Sequence, residues 1–422
     1  MSNFRGYPAP ALRPVIISRP NHNISRKDID PDALKVLYRL HNHGHIAYLV
    51  GGGVRDILLG RKPKDFDIST SAHPNQVRKL FSNCRLIGRR FRLAHIYFHG
   101  GKIIEVSTFR TISEFNGEDG PIKSDNTFGT PIEDASRRDF TVNALFYNIA
   151  DFSIVDYLDG LSDLNAGIIR CIGDPDVRFR EDPIRMLRAV RFASLLGFSL
   201  DTASAAAIFS LRDEIWEGAL PRILDEIVRM MDRGNSGAAL SLLYQVGLLE
   251  SILPEINHHI AKSGFDEYLD ILSRLDHYSQ NGKVPQPWLA LAVLVYPLYH
   301  SIISGVHKPD YLKFARETLS PIAERIQVPR KIRDTIRLSL AAQHRFFALR
   351  DPHLSRQTIL RKSYFRDALA LFDVVAGGTE DGKELIGSWK EIGKGVPDRA
   401  PQPKKRRRRR RGRPQNEPSI SR

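Results

Sequence analysis

The sequence contains very few cysteines, and this scarcity argues against two classes of protein. Among 422 residues, only Cys84 and Cys171 are cysteine. Two cysteines cannot form the disulfide framework of a small secreted domain, and their spacing is not that of a zinc site. Hydrophobic residues make up 42% and charged residues 26%. This is the composition of an ordinary folded protein with enough apolar material for a core.

Long hydrophobic runs are also missing. The nearest candidate, residues 288–296, is nine residues long and is followed by Pro297, whereas a membrane-spanning helix needs about 20 apolar residues. This segment predicts a buried helix. The opening residues MSNFRGYPAPALRP lack the apolar centre and small-residue cleavage site of a signal peptide. The sequence therefore predicts a cytoplasmic protein without a transmembrane segment.

Acidic residues are fewer than basic ones, and the excess of positive charge is concentrated at one place. The net charge is +15, and residues 401–422 contain ten Lys or Arg residues and one Glu, a net charge of +9. The other 400 residues therefore carry about +6. Such a balance suits a partner with a phosphate backbone, and it also suits an anionic membrane surface. Because residues 396–422 are rich in Pro and nearly free of apolar side chains, they predict a disordered tail.

Patterns of strands and helices alternate only in the first part of the chain. Residues 1–25 are polar and Pro-rich and predict an extended segment. After about residue 160 the strand signals stop, and the segments to about residue 395 predict helices, as in residues 222–231 with their apolar stripe. The first part is α+β. Its periodicity predicts helices over residues 32–40 and 54–59, and strands over residues 46–50, 66–69 and 103–109.

A run of three glycines stands between a predicted strand and a predicted helix, in the segment LVGGGVRDILLGRKPKDFDIST of residues 49–70. Because Gly51, Gly52 and Gly53 have no side chains, backbone N–H groups there can approach an anion closely, and the start of the helix adds its dipole. This arrangement is typical of a phosphate-binding turn. Glycine-rich turns without a phosphate are the alternative.

Two aspartates follow the glycine turn. Asp65 and Asp67 lie two residues apart in a strand-like stretch, so that their side chains project to one face. Unpaired carboxylates on one face repel each other, and a divalent cation such as Mg²⁺ relieves this repulsion with oxygen ligands. Two Mg²⁺ ions about 3.5–4 Å apart can bind the attacking and leaving oxygens of a phosphoryl displacement. A solvated turn is the alternative for such a pair in isolation.

The order Gly-Gly-x-Val-Arg-Asp followed by Asp-x-Asp resembles the class II branch of the polymerase-β-like nucleotidyltransferases, which comprises bacterial poly(A) polymerases and CCA-adding enzymes. The resemblance implies an N-terminal catalytic domain with a small mixed sheet and helices, followed by an all-helical RNA-binding region. It also implies that Asp65 and Asp67 bind two catalytic Mg²⁺ ions. The implied nucleotide contacts in this part of the chain are Gly52, Gly53 and Arg55.

Three further segments follow in the order of that family. They are RRDFTVNAL at residues 137–145, DYLDG at residues 156–160, which predicts a turn that closes the catalytic domain, and EDPIRMLRAVRF at residues 181–192. In the first segment, Arg138 and Asn143 are implied phosphate and ribose contacts, and Asp139 is an implied third catalytic acid. Glu105 competes for that third position. A structural salt bridge is the alternative for both carboxylates.

The last of these segments places Asp182, Arg185 and Arg188 on one side of a predicted helix, since they are spaced by three residues. A carboxylate acceptor beside a guanidinium donor can read the Watson–Crick edge of adenine or cytosine. Both bases present an exocyclic amine next to a ring-nitrogen acceptor, whereas guanine and uracil reverse this order. A protein helix can thus replace a nucleic-acid template. A helix with ordinary surface ion pairs is the alternative.

The resemblance covers residues 25 to about 235 and rests on these four motifs in order. The segment LIGRRFRLAH at residues 86–95, the stretch at residues 23–29 and the Arg-rich tail resemble the poly(A) polymerase branch. That branch adds AMP from ATP to RNA 3′ ends in mRNA polyadenylation and RNA turnover. A CCA-adding or A-adding tRNA nucleotidyltransferase is the alternative, and a non-catalytic RNA-binding protein on the same scaffold is the alternative of another class.

The resemblance and the composition together predict five regions. We expect ATP and RNA 3′ ends to be the partners, with the basic tail in contact with RNA. The regions are an extended segment at 1–25, a nucleotidyltransferase domain at 26–160, a helical nucleobase-recognition (neck) domain at 161–235, a helical RNA-binding body at 236–395 and a disordered basic tail at 396–422.

Deletion of residues 401–422 should weaken RNA binding without changing the chemical step, because these residues carry +9 of the net charge and lie apart from the acidic motif. On single strands, the slope of log K against log salt is roughly −0.7 per phosphate neutralised. If the tail contacts three phosphates, the slope should flatten by about two units. RNA binding by full-length and truncated protein across a salt series measures this. Equal slopes would favour a membrane or protein partner for the tail.

Overall fold

The computed structural model describes residues 13–88, 93–111, 128–232, 234–280 and 284–394. The predicted basic tail lies outside the described residues. So do the first half of the predicted extended segment and the arginine-rich centre of the motif at residues 86–95.

An eight-stranded mixed sheet forms the N-terminal part. Its strand order is β1-β8-β7-β2-β3-β6-β5-β4. Within the described residues, β3 and β6 are the one parallel pair of this sheet, with Ile68 opposite Val106. The predicted strands near residues 47–50, 67–70 and 103–108 are confirmed. The strands are β1 (Val15–Ile17), β2 (Ala47–Val50), β3 (Asp67–Thr70), β4 (Cys84–Ile87), β5 (Leu93–Tyr97), β6 (Ile103–Thr108), β7 (Leu145–Asn148) and β8 (Ile154–Asp156).

Short helices connect these strands, and local capping defines where they begin. Before the first helix, Asp30 accepts a hydrogen bond from the backbone N–H of Asp32 at 2.8 Å, and Pro31 is the first helical residue. Thr130 and Glu133 form a reciprocal capping box at the fourth helix. The helices are α1 (Pro31–Asn42), α2 (Gly52–Leu58), α3 (Pro74–Leu80), α4 (Pro131–Ser136) and α5 (Gly160–Ala166).

The rest of the described chain is mostly helical, as predicted. Its helices are α6 (Pro175–Glu181), α7 (Ile184–Leu196), α8 (Thr202–Leu211), α9 (Leu220–Met231), α10 (Ser236–Gln245), α11 (Leu248–Ile252), α12 (Pro254–Ser263), α13 (Asp266–Gln280), α14 (Pro287–Ser304), α15 (Tyr311–Arg325), α16 (Arg330–Phe347), α17 (Arg356–Leu360), α18 (Phe365–Ala376) and α19 (Glu380–Gly393).

One detail of the helical prediction is wrong. Two short strands, β9 (Ile168–Ile169) and β10 (Ser199–Leu200), pair in parallel beyond residue 160. The backbone N–H of Ser199 donates to the carbonyl of Gly167 at 2.9 Å, and that of Asp201 donates to Ile169 at 3.1 Å. Two-residue strands are too short to show an alternating pattern, so that only the tertiary contact reveals them.

Helix α14 contains the longest apolar segment. The apolar run in the sequence ends before Pro297, but the helix continues through Pro297 to Ser304. By length and composition, it is the one helix of the described residues that could cross a membrane, and 56% of it is buried inside the protein. Residues 289–297 are all buried. The predicted buried helix is confirmed, although its end lies further along the chain.

Candidate active site

A polar cavity of about 540 Å³ lies where the sheet meets α7 and α9. It collects most of the predicted site residues from segments that are distant in sequence. Gly53 lines an adjoining cavity of about 350 Å³ instead, and Glu105 lines neither of the two. The predicted residues that line the larger cavity are Gly52, Arg55, Asp65, Asp67, Arg138, Asp139, Asn143, Asp182, Arg185 and Arg188.

The glycine turn brings the backbone close to the acidic strand and to Arg138. Gly51 has a φ of +69°, which L side chains rarely adopt. A Cβ atom there would stand 3.2 Å from Nη1 of Arg138, and a Cβ atom at Gly53 would stand 3.4 Å from the carbonyl of Asp65. The turn therefore needs glycine both for its conformation and for its close contacts.

Asp67 carries negative charge that its surroundings do not compensate. Asp67 begins β3, and the parallel register with β6 places Glu105 beside it. Its side chain reaches solvent through the cavity mouth, yet the surrounding protein removes much of the water. This burial, followed by the charges of Glu105 and Asp65, raises the pKa of Asp67 to about 6, although Arg138 opposes the shift. Among the described residues, Asp65 and Asp67 form no ion pair.

Two carboxylates with uncompensated charge fit a divalent cation. Mg²⁺ commonly uses one or two protein carboxylates and completes its shell with substrate phosphates and water. No group of three or more His, Cys, Asp or Glu residues that could hold a metal occurs in the described part of the chain. An ion held by Asp65 and Asp67 would therefore draw further ligands from outside the protein, or from Glu105 after side-chain rearrangement.

A buried carboxylate that the sequence analysis missed holds both arginines of the RRDFTVNAL segment. Asp134 accepts from Nε and Nη2 of Arg137 at 2.9 and 2.6 Å, and from Nη2 of Arg138 at 2.9 Å. Burial alone would raise the pKa of Asp134, but these guanidinium groups hold it below its ordinary value. The spacing of three and four residues along α4 was a signal that could have revealed this pair of contacts.

Arg55 and Asn143 form a buried network beneath the glycine turn. Arg55 donates from Nε and Nη2 to Oδ1 of Asp56 at 2.9 and 2.7 Å, and from Nη1 to Oδ1 of Asn143 at 2.6 Å. Asn143 donates in turn to Oδ1 of Asp139 at 3.2 Å. All of these side chains except Asp56 line the large cavity. Their hydrogen bonds to one another hold them in place beside the glycine turn.

Asp139 is compensated, unlike Asp67. Its Oδ2 accepts from Nε and Nη2 of Arg188 at 2.8 and 2.6 Å, and its Oδ1 accepts from the backbone N–H of Phe140 at 2.9 Å. Burial opposes the charged form, but Arg188 keeps the pKa of Asp139 below its ordinary value. Arg188 also lies 3.8 Å from Glu226 on α9, which bonds Arg191 at 2.5 Å. The contacts thus extend from the sheet through α7 to α9.

The predicted base-reading segment is a junction of two helices. The sequence places residues 181–192 in one helix, but α6 ends at Glu181 and α7 begins at Ile184. Asp182 accepts from Nη1 and Nη2 of Arg222 at 2.9 and 2.8 Å. Arg185 donates to Glu181 at 3.0 Å and to the carbonyl of Arg178 at 2.8 Å. Asp182 and Arg185 therefore line one cavity while they bond to other partners.

Helix α9 contributes to the cavity, and the sequence analysis did not identify this. Arg222 and Arg229 line the cavity, and Glu226 lies between them in sequence. Their spacing of four and three residues puts all three on one helical side. The charged residues between the apolar positions of α9 are a sequence signal for this second role of the helix.

We expect Glu105→Gln to lower the pKa of Asp67, because it removes a neighbouring negative charge. Mg²⁺ binds the ionised carboxylate, so the pH midpoint of Mg²⁺ affinity should move down from around pH 6, where Asp67 titrates. Carboxyl NMR titration and calorimetric Mg²⁺ binding across pH measure the two effects. Glu317→Gln, on the exposed side of α15, is the control. An unchanged midpoint in Glu105→Gln would contradict the placement of Glu105 beside Asp67.

Family models match two parts of the chain. Residues 47–170 match the model described as "Poly A polymerase head domain". Residues 197–260 match the model described as "Probable RNA and SrmB- binding site of polymerase A". The first match contains the glycine turn, the acid pair and the RRDFTVNAL segment, and the second contains α9.

Curated relatives agree with these matches. Poly(A) polymerase I of Salmonella typhi is 46% identical over 299 residues, which are 67% of this chain and 64% of that protein. The alignment thus spans less than two thirds of that relative. Poly(A) polymerase I of Escherichia coli O157:H7 is 41% identical over 355 residues, 78% of this chain and 76% of that one. The CCA-adding enzyme of Lactobacillus gasseri is 38% identical over 221 residues, 52% and 54% of the two chains.

Solved structures share the fold. The Bacillus stearothermophilus CCA-adding enzyme in complex with CTP aligns with a TM-score of 0.62 and 28% identity, over 86% of this chain and 82% of that one. The Thermotoga maritima CCA-adding enzyme complexed with tRNA_CCA aligns with a TM-score of 0.58 and 19% identity, over 87% and 84%. The predicted α+β fold is therefore confirmed, and the chain belongs to the bacterial poly(A) polymerase family of nucleotidyltransferases.

Proposed function

We propose that the protein is a template-independent poly(A) polymerase that adds AMP from ATP to RNA 3′ ends and releases pyrophosphate. The observation that carries this proposal is the uncompensated acid pair, which faces the same cavity as the glycine turn and the residues of α7. A structural salt bridge would leave both aspartates paired with basic side chains. A carboxylate whose pKa is raised by burial, and further by neighbouring carboxylates, is instead suited to bind a cation when substrate arrives.

Asp65 and Asp67 would hold Mg²⁺, with Glu105 as the third carboxylate. When bound, the metal lowers the pKa of the RNA 3′-hydroxyl and stabilises charge on the transferred phosphoryl group. Asp139 then has another role. Because its oxygens already bond Arg188, Asn143 and the Phe140 backbone, we propose that it positions Arg188 in the cavity and does not itself bind metal.

The phosphates of ATP would lie between the glycine turn and the two arginines that Asp134 holds. Arg138 lies beside Gly51 and donates to the carbonyl of Asn143 at 3.3 Å. The shared contact with Asp134 fixes both guanidinium groups before substrate binds, which reduces the ordering cost of phosphate recognition. Gly52, Gly53 and Arg55 complete the proposed nucleotide contacts near the turn, and Asn143 completes them near the ribose.

Asp182 and Arg185 would read the base. Asp182 can accept from the exocyclic amine of adenine, and Arg185 can donate to its ring nitrogen. In the free protein, Arg222 and Glu181 occupy these two groups. When a base binds, Asp182 and Arg185 must therefore share their present partners with the base or exchange them for it. Neither group is unpaired before the base binds. Such an exchange keeps these partly exposed charges paired in both states.

The proposed regions follow from this assignment. Residues 26–160 carry the catalytic carboxylates, residues 161–235 carry the base-reading neck and residues 236–395 form the RNA-binding body. The segment at 1–25 is proposed to be extended, and the tail at 396–422 is proposed to contact RNA. A cytoplasmic location, with roles in mRNA polyadenylation and RNA turnover, agrees with ATP and RNA as substrates.

A CCA-adding activity is the second candidate, since cytosine presents the same edge as adenine and CCA-adding enzymes align over about half of the chain. Incubation of the protein with each NTP, on generic RNA and on tRNA lacking CCA, separates the candidates. Repeated AMP addition to generic RNA supports the proposal. Incorporation of CTP into tRNA would contradict it, and absence of Mg²⁺-dependent incorporation would indicate a non-catalytic RNA-binding protein.

Asp65→Ala and Asp67→Ala should each abolish AMP incorporation while RNA binding persists, because each variant removes a metal ligand and leaves the basic surface intact. Single-turnover incorporation and RNA binding measure the two properties separately. Asp225→Ala removes the same charge from an exposed position on α9 and serves as the control. Substantial remaining incorporation in either active-site variant would disprove the metal assignment.

Arg185→Ala should relax nucleotide choice more than it weakens triphosphate binding. A base contact of this kind is worth about 1–3 kcal/mol in discrimination, by comparison with bidentate reading of base edges. The ratio of kcat/KM for ATP to that for GTP should therefore fall by about 5- to 150-fold. Arg180→Ala, at an exposed position paired with Glu214, is the control. An unchanged ratio would contradict base reading by Arg185.

A further inference from the structure

The smaller cavity, of about 350 Å³, adjoins the active-site cavity at the acid pair. The residues that line both cavities are Gly52, Arg55, Asp65, Asp67, Arg191 and Phe192. The acid pair can thus be approached from two sides. One side carries the proposed base-reading residues Asp182 and Arg185, and the other side has a different chemistry.

One wall of the smaller cavity is basic. It is formed by the segment between α2 and β3, where Pro63 is buried and both Lys62 and Lys64 are exposed. Arg61 holds this segment against the end of α7, because it donates to the carbonyls of Leu195 and Leu196 at 3.1 and 3.2 Å. Among the described residues, Lys62 and Lys64 form no ion pair. Two free ammonium groups therefore stand at the cavity in a segment that is fixed at its start.

The opposite wall is largely apolar. Phe192, Leu195 and Leu196, from the last turns of α7, line this side. Arg191 also lines it, but its guanidinium group is bonded to Glu226. A cavity with cations on one wall and apolar side chains on the other matches a nucleotide, which has phosphate at one end and ribose and base at the other. Pyrophosphate, the leaving group, has no apolar part and would make no use of this wall.

We propose that this smaller cavity binds the 3′-terminal nucleotides of the RNA, with Lys62 and Lys64 on backbone phosphates. The inference rests on the proposed function, because two substrates must then meet at one acid pair. ATP occupies the side with the base-reading residues, which leaves the other side for the RNA end. The 3′-oxygen forms a bond to the α-phosphorus of ATP, and the bond from the α-phosphorus to the oxygen that bridges to the β-phosphorus breaks. Pyrophosphate leaves, and the hydroxyl proton passes to water.

The test is the double variant Lys62→Ala/Lys64→Ala, with Lys79→Ala on the exposed side of α3 as the control. RNA that ends in a 3′-deoxynucleotide permits binding without incorporation. Each phosphate neutralised on a single strand contributes roughly −0.7 to the slope of log K against log salt. Because the double variant no longer neutralises two phosphates, its slope should be less steep by about 1.4. We expect about tenfold weaker binding at low salt and a matching rise in KM for RNA, with KM for ATP and kcat at saturating RNA close to wild type.

Other outcomes would overturn the inference. A raised KM for ATP or weaker inhibition by pyrophosphate, with RNA binding unchanged, would assign the cavity to the leaving group. If RNA binding and kinetics of the double variant equal those of Lys79→Ala, neither Lys62 nor Lys64 takes part in substrate binding. If the wild-type protein adds no AMP to RNA, the proposed function fails, but binding of the 3′-deoxy RNA still reports on the cavity separately.

Discussion

The ion pair between Asp139 and Arg188 connects the two parts of the protein on which the site depends. Asp139 lies in the sheet domain, Arg188 lies on α7, and the pair is joined by bonds of 2.8 and 2.6 Å. Asn143 and Arg55 extend the network towards the glycine turn, and Glu226 extends it to α9. Because Arg188 remains 30% exposed, loss of one partner should cost less than the about 3–5 kcal/mol typical of a fully buried pair. This contact and the apolar packing of α7 in the core together fix α7 relative to the acid pair.

The carboxylates of the site divide into two groups according to whether their charge is balanced. Asp134 and Asp139 are buried against guanidinium groups and have lowered pKa values. Asp67 has a raised pKa because it is partly desolvated and lies near Glu105 and Asp65. Balanced carboxylates hold arginines in place, whereas an unbalanced one gains most from a cation. Sequence motifs alone do not separate these roles, since Asp67 and Asp139 both lie in strongly recognisable segments.

Local signals in the sequence predicted what depends on neighbouring residues. The glycine turn, the strands that carry Asp67 and Glu105, and the stripe of α9 follow from patterns a few residues long. Three features escaped prediction because they depend on distant contacts. The pairing of β9 with β10 joins segments about thirty residues apart, the break between α6 and α7 at Asp182 interrupts a pattern that looks continuous, and Arg222 reaches Asp182 across 40 residues of sequence. Periodicity describes a helix face but does not state which element packs against it.

On the proposed function, hydrogen-bond pattern alone cannot separate ATP from CTP, because adenine and cytosine present the same donor and acceptor order. The two bases differ in size, and the Watson–Crick edge of a purine lies further from the ribose than that of a pyrimidine. Selection must therefore come from the distance between Asp182 and Arg185, at the junction of α6 and α7, and the acid pair at the start of β3. The contact of Asp139 with Arg188 and the apolar packing of α7 in the shared core together set that distance. An ion pair that the proposal places away from the metal would thus contribute to which nucleotide reaches the metal in a reactive position.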